Sequence, residues 1–310
     1  MQALPRYIDL TRFALIEIKG EDAFAFLHGQ ISGDLNELIS RGWMFSAWCQ
    51  ANGRVICTFM IFTRNHSLFL VLPAGMKDRI VRRLTLYVLR ADVRIIDASS
   101  EHTLLGLHGV NIMDTDIFGP GTRTGKMLVT EACCVLELWG PVPRCLVVCR
   151  NDHLAMILEK ILGTCKKDGA PGWELLDIEA GIPWIMDSTC EKFLPQMLNL
   201  DHLQGLSYQK GCYPGQEVIA RLHYRGELKR RMFLGTGRGE VIPAAGTALV
   251  RADTGTRTGD VINAACHPEG GFRLLVVTDI NEATSPMCLQ DAPQTLVTLQ
   301  DLHYPVHIAA

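Results

Sequence analysis

Apolar and polar positions alternate from Tyr7 to Gly20, with Leu10, Phe13, Leu15, Ile16 and Ile18 as the apolar set, and this period of two reads as a strand. The period changes at Gly20-Glu21-Asp22, after which Ala23, Phe24, Phe26, Leu27 and Ile31 share one helical face. Two apolar runs follow, Met44 to Cys49 and Val55 to Phe62, separated by Gln50-Ala51-Asn52-Gly53. An Asn-Gly pair between such runs predicts a β-hairpin, because both residues tolerate the positive φ of a tight turn. Leu68 to Leu72 reads as a strand, Gly75 to Leu89 as a helix and Val93 to Asp97 as a strand.

A second strand-helix unit spans Arg144 to Leu162, and a loop rich in Lys, Asp, Gly and Pro (Lys166 to Gly172) precedes a helix from Trp173 to Ala180, stopped by Gly181 and Pro183. From about Leu228 the texture changes to short β-prone runs (Arg231 to Thr236, Thr247 to Val250, Arg257 to Ile262, Phe272 to Val277) punctuated by Gly, Asp and Pro. That texture predicts a small antiparallel barrel or sandwich. The expectation is an α+β protein with a body over 1–228 and a β-barrel over 229–310.

The 310 residues suffice for two or three compact units and so for a cleft between them. Thirty Lys and Arg against thirty-three Asp and Glu, a net charge of -3, exclude a global basic field for nucleic acid, so any RNA contact has to be local. The first ten residues lack the apolar core of a signal peptide and no later run has membrane length, which points to the cytoplasm. Eleven cysteines, an odd number at irregular spacings, do not form a disulfide framework and read mostly as small buried hydrophobes. Neither Cys133-Cys134 nor Cys145 with Cys149 has zinc spacing, so no metal site is expected. Gly235 to Gly239 is glycine-rich but has no helix after it, and reads as a turn rather than a phosphate loop.

The most unusual segment is Lys210-Gly211-Cys212-Tyr213-Pro214-Gly215-Gln216-Glu217. A thiol on a glycine-flanked turn, beside the cation of Lys210 and before a helix, is in the setting that favours thiolate. Local chemistry alone favours a half-buried, inert cysteine, since most single cysteines are packing residues. The segment resembles the signature of the YgfZ family, folate-binding proteins linked to iron-sulfur cluster synthesis and repair. Asp177 to Pro183, Phe193 to Leu200, Ile18 to Asp22, Leu27 to Leu35 and Cys49 to Arg54 are similar to further elements of that family in the same order, so the likeness covers roughly residues 7 to 235.

The resemblance implies the fold of the glycine-cleavage T-protein: an N-terminal folate-binding unit, a ferredoxin-like unit and a C-terminal β-barrel around a central cleft that takes tetrahydrofolate. A pterin needs a stacking surface and a carboxylate that accepts two adjacent donors. The implied folate residues are Phe13, which stands where relatives carry Trp, Trp173 and Glu179; core packing is the other reading of both rings. The T-protein's catalytic Asp follows its hairpin glycines, yet here no Asp or Glu lies between Glu37 and Asp78, and Asp177 stands where T-proteins carry Arg. The resemblance therefore implies an accessory protein that uses Cys212, beside Lys210, in maintaining iron-sulfur enzymes. Its clients would be enzymes such as the radical tRNA methylthiotransferases, with an indirect effect on tRNA modification. A folate-dependent aminomethyl or one-carbon transferase is the alternative. Direct RNA binding through Arg221, Arg225, Lys229, Arg230 and Arg231 ranks below both, since such clusters are usually solvated faces.

Overall fold

The computed structural model describes residues 5–109, 116–302 and 304. It is an α+β arrangement of two antiparallel-rich sheets and a closed barrel. The first sheet has five strands in the order Trp43–Cys49, Val55–Arg64, Ser67–Pro73, Phe13–Lys19 and Arg94–Asp97, all antiparallel. Its first three strands are buried on both faces and so read as near-continuous apolar runs, not as alternation. Ile16, Trp48, Ile56, Phe59 and Leu70 face the short helix α1 (Ala23–His28), α2 (Leu38–Arg41) and the amphipathic α3 (Lys77–Thr85), which contributes Ile80 and Leu84. Leu15, Phe45, Met60, Phe62 and Val71 face the central core. The expected hairpin is present, with Gly53 at φ +80° and its N–H donating to the Gln50 carbonyl.

The strand read from Tyr7 to Gly20 is two strands in two different sheets, Arg6–Asp9 and Phe13–Lys19. The chain turns between them, with the Phe13 N–H on the Leu10 carbonyl. Both pieces keep one alternation, which is why the break does not show in the pattern. The helix read from Gly75 to Leu89 ends at Thr85, whose hydroxyl bonds back to the Val81 carbonyl, and leaves Leu86 and Leu89 exposed.

The second sheet runs Lys166–Lys167, Arg6–Asp9, His102–His108, Arg144–Arg150, Cys133–Leu138, Met127–Val129 and Thr122–Thr124. Helix α4 (Leu154–Leu162) lays Ile157 and Ile161 on one face, over Cys133, Cys145, Cys149 and Cys165. All eleven cysteines are free and eight are buried. Burial pushes the Cys134 thiol up to about 12 and those of Cys49, Cys57 and Cys145 further, so these are packing groups.

Helix α5 (Ala170–Glu179) starts three residues before the Trp173 read from the sequence, with Pro171 in its first turn, where a missing N–H costs nothing, and buries Trp173, Leu176, Asp177 and Ile178. It packs against Arg6–Asp9 on one side and the barrel strand Arg257–Cys266 on the other. A helix buried nearly all round in this way is a central pillar. The barrel closes through Arg230–Gly237, Phe272–Asp279, Arg257–Cys266, Ala248–Arg251, Met287–Leu289 and Ala292–Gln300. The last two strands were not legible as β-prone runs. Met232, Leu234, Ile262, Leu275 and Val277 join the central core, while Leu249, Val261, Phe272 and Val276 form a second one. Among the described residues no helix is long and apolar enough to cross a membrane.

Candidate functional site

Helix α5 ends where Gly181 takes φ +68°, and a Cβ there would sit 2.8 Å from the Tyr304 ring, so glycine is required by both backbone and space. The carbonyls of this Glu179-Ala180-Gly181 turn accept from two aromatic side chains, Trp139 Nε1 onto Ala180 (3.2 Å) and Tyr304 OH onto Gly181 (3.4 Å). Tyr304 OH also accepts from Asn199 Nδ2 at 3.0 Å, and the same amide donates to the Met232 carbonyl of the barrel. Asn199 itself is left-handed at φ +56°.

Trp139 and Tyr304 are two walls of a cavity of about 260 Å³, whose other walls include Trp43, Phe45 and Leu203. The Trp43 and Trp139 rings are parallel within 8°, with centroids 5.0 Å apart, and Phe45 meets Trp139 edge-on. The Trp43 indole is oriented by donating to the Glu137 carbonyl at 2.9 Å. Two partly exposed cations line the same space, Arg41, paired with Glu37 at 2.7 Å, and Lys126, 3.9 Å from Glu137. An apolar slot with flat walls and a few polar groups suits a planar ring that carries an anionic tail.

Of the residues expected at a folate site, Glu179 is half-buried at this turn and has no hydrogen-bond or ion-pair partner among the described residues. Phe13 lies in the core on Trp184, with centroids 4.6 Å apart, and Trp184 in turn meets Phe45 at 5.4 Å. Trp173 is fully buried between the Gly106 backbone and the Arg144 guanidinium, 5.1 Å from its ring. Neither ring lines the cavity. Asp177 forms a buried ion pair with Arg144 at 2.7 Å and accepts from Trp184 Nε1 at 2.9 Å, while Arg144 Nε donates to the Trp139 carbonyl at 3.2 Å. The position where T-proteins carry Arg thus serves to hold the tryptophans behind the cavity.

The signature loop draws three of the motif segments together. Lys210 Nζ donates to the carbonyls of His28, Ile31 (2.8 Å) and Gly33 (2.9 Å), all in the Leu27 to Leu35 element. Burial pulls the Lys210 ammonium down to about 8, with Asp34 acting the other way. Gly215 has φ +85°, and a Cβ there would lie 2.5 Å from the Gln50 carbonyl of the hairpin turn. It leads into α6 (Gln216–Arg225), where the Gln216 side chain bonds back to the Lys210 carbonyl and Gln196 caps the Ile219 carbonyl. Tyr213 is buried beneath the loop and Cys212 is exposed on it. The loop therefore presents the thiol to solvent while lysine, tyrosine and glycine hold it down.

The sequence alone does not reveal the cavity residues Trp43, Trp139 and Tyr304, because they come from one strand, from the turn after another (Cys133–Leu138) and from the C-terminal segment. Only Trp139-Gly140-Pro141, an aromatic before a turn, stands out at all.

No protein-family profile matches the chain. It is 28% identical over 303 residues to the tRNA-modifying protein YgfZ of Yersinia enterocolitica, covering 96% of this chain and 92% of that one. The crystal structure of glycine cleavage system aminomethyltransferase T from Bartonella henselae superposes with a TM-score of 0.76 at 15% identity, over 97% of this chain and 86% of that one, a likeness of fold. The chain is therefore similar to YgfZ over nearly the whole length of both proteins, and it has the fold of the T-protein.

Proposed function

We propose that this protein binds tetrahydrofolate in the cavity lined by Trp43, Trp139 and Tyr304 and acts as an accessory protein that supports iron-sulfur enzymes, and through them tRNA modification, from the exposed Cys212. The observation that carries this reading is the Glu179-Ala180-Gly181 turn, whose carbonyls hold both Trp139 and Tyr304 while its carboxylate has no partner among the described residues. The fit of a folate rests on the aromatic walls and on Arg41 and Lys126 for the glutamate carboxylates; Glu179, which does not line the cavity but stands in the turn that holds Trp139 and Tyr304, is assigned to the paired donors of the pterin edge. A bound folate supplies a one-carbon carrier. The chain's residues stack it, orient it and exclude water around it. Phe13 and Trp173 enter as packing: Phe13 supports Trp184 and Phe45, and Trp173 supports Arg144. In this reading Lys210 holds the loop so that Cys212 faces clients, which belong to the cytoplasm.

Titration calorimetry with tetrahydrofolate tests the reading. We expect saturable binding that weakens by about 1.5–3 kcal/mol in Glu179→Gln, the range for a hydrogen bond to a charged group. Affinity unchanged in both Glu179→Gln and Trp139→Leu would remove the cavity as the site. Cys212→Ala should keep folate affinity and lose the rescue of iron-sulfur enzyme activity in a deletion strain; full rescue would end the role of the thiol. The T-protein fold favours one second reading, an aminomethyl or one-carbon transferase. Against it, strand Val55–Arg64 after the hairpin carries no carboxylate. Formation of 5,10-methylene-tetrahydrofolate on adding a one-carbon donor would decide for it.

A further inference from the structure

Helix α6 carries an aromatic and cationic surface that the folate reading does not use. His223 stacks on Tyr208 with centroids 3.8 Å apart and planes 12° from parallel, and Tyr224 meets His223 edge-on at 4.7 Å. Tyr208 packs against the central core, so the stack is anchored, whereas Tyr224 is 66% exposed. Arg221 and Arg225, one helical turn apart, flank Tyr224 along the helix, and Lys229 follows just beyond its end. All three cations are exposed and have no ion-pair partner among the described residues. Their neighbours differ: Arg230 pairs with Asp260 at 3.1 Å, and Arg231 with Asp201 at 2.5 Å. Glu217 and Glu227 stand at the two ends of the stretch and leave its centre cationic.

Two like charges at this spacing repel unless an anion lies between them. A second protein's acidic face would satisfy the cations but not the open ring beside them. An unpaired nucleotide offers both a phosphate and a flat base. We infer that α6 binds a single-stranded segment of RNA, one base stacking on Tyr224 and its phosphates resting on Arg221, Arg225 and Lys229. Tyr224 lies eight residues past Gln216, about 12 Å along the axis from the start of the helix at which the Cys212 loop ends. The arrangement uses a local patch and needs no basic field over the whole chain.

The test is fluorescence anisotropy of a labelled single-stranded RNA of about 12 nucleotides, a length within the site sizes of such binders, titrated with the full-length protein. The expected result is saturable binding with a log–log salt slope of about -2, from three phosphate contacts on a single strand. Tyr224→Ala should weaken it about five- to a hundredfold, the effect of losing one stacked base, and Tyr224→Phe should not. Arg221→Gln with Arg225→Gln should make the slope shallower by about 1.4. Exposed positions keep these variants folded, which their melting curves check. Three results would overturn the inference: no saturable binding at low salt, unchanged affinity in Tyr224→Ala, or equal binding of a blunt RNA duplex. Competition by polyglutamate as effective as by unlabelled RNA would also overturn it and make the surface a protein-docking face. Trp139→Leu, which should lose tetrahydrofolate, should keep RNA binding, so the two readings fail separately.

Discussion

Among the described residues, Asp177 is the only carboxylate bonded to Arg144, whose side chain is 0% exposed, and replacing it by Ala removes that partner. The guanidinium would be left between the Trp173 ring and the Trp139 carbonyl, with one terminal nitrogen already unpartnered, and the Trp184 indole N–H would lose its acceptor. Breaking a buried ion pair by deleting one partner costs about 3–5 kcal/mol, because the remaining charge stays desolvated. The orphaned indole would add about 1 kcal/mol by itself, but both effects share one carboxylate and do not sum. The expected loss is therefore about 3–5 kcal/mol, read from the denaturation midpoint in urea. Removing both charges in Arg144→Met with Asp177→Leu should be much milder, since nothing charged is then left buried. A loss below about 1 kcal/mol in Asp177→Ala, or a double variant as unstable as the single one, would refute the reasoning. Because Arg144 also holds the Trp139 backbone, Asp177→Ala should weaken tetrahydrofolate binding at temperatures where the variant is still folded.

Other consequences can be checked separately. Lys210→Met leaves three carbonyls without a donor and should cost about 1–3 kcal/mol or more, measured by urea denaturation. Burial lowers Lys210 to about 8 in the folded chain against 10.5 unfolded, so the unfolded state binds more protons between those values. Stability from this group therefore rises as pH rises through that window, and the rise should be absent from Lys210→Met. Gly106→Ala would place a Cβ 2.4 Å from the Trp173 ring and should lower stability by about 1–3 kcal/mol, through displacement visible as a shift in tryptophan fluorescence. The hydrogen bond from Arg83 holds the Glu191 carboxyl below its ordinary value, so its contribution is present above pH 4.5 and is lost as pH falls through the lowered value. Glu191→Gln should flatten the acid limb of a stability profile, and an identical limb would remove this pair from the account.

What the sequence determined is local. Gly53, Gly181 and Gly215 mark positive φ, and the Asn-Gly turn, the Gly181 stop of α5 and the signature loop are legible because each demand is met within a few residues of chain, whereas the start of α5 at Ala170 lies inside what reads as a loop. The same locality hid the break between Arg6–Asp9 and Phe13–Lys19, since alternation is identical whichever sheet a strand joins. Only the tertiary structure showed that Lys210 bonds the carbonyls of the Leu27 to Leu35 element, and that Asp177 neutralises Arg144. It also decided which aromatic residues line a cavity. Trp43, Trp139 and Tyr304 come from two sheets and the C-terminal segment, whereas Phe13 and Trp173, nominated from resemblance, are packed in the core. Whether an aromatic ring meets solvent, ligand or core is set by what packs on its other face, and that partner lies far away in the chain, 29 residues for Trp173 on Arg144, 96 for Trp43 on Trp139 and 171 for Phe13 on Trp184.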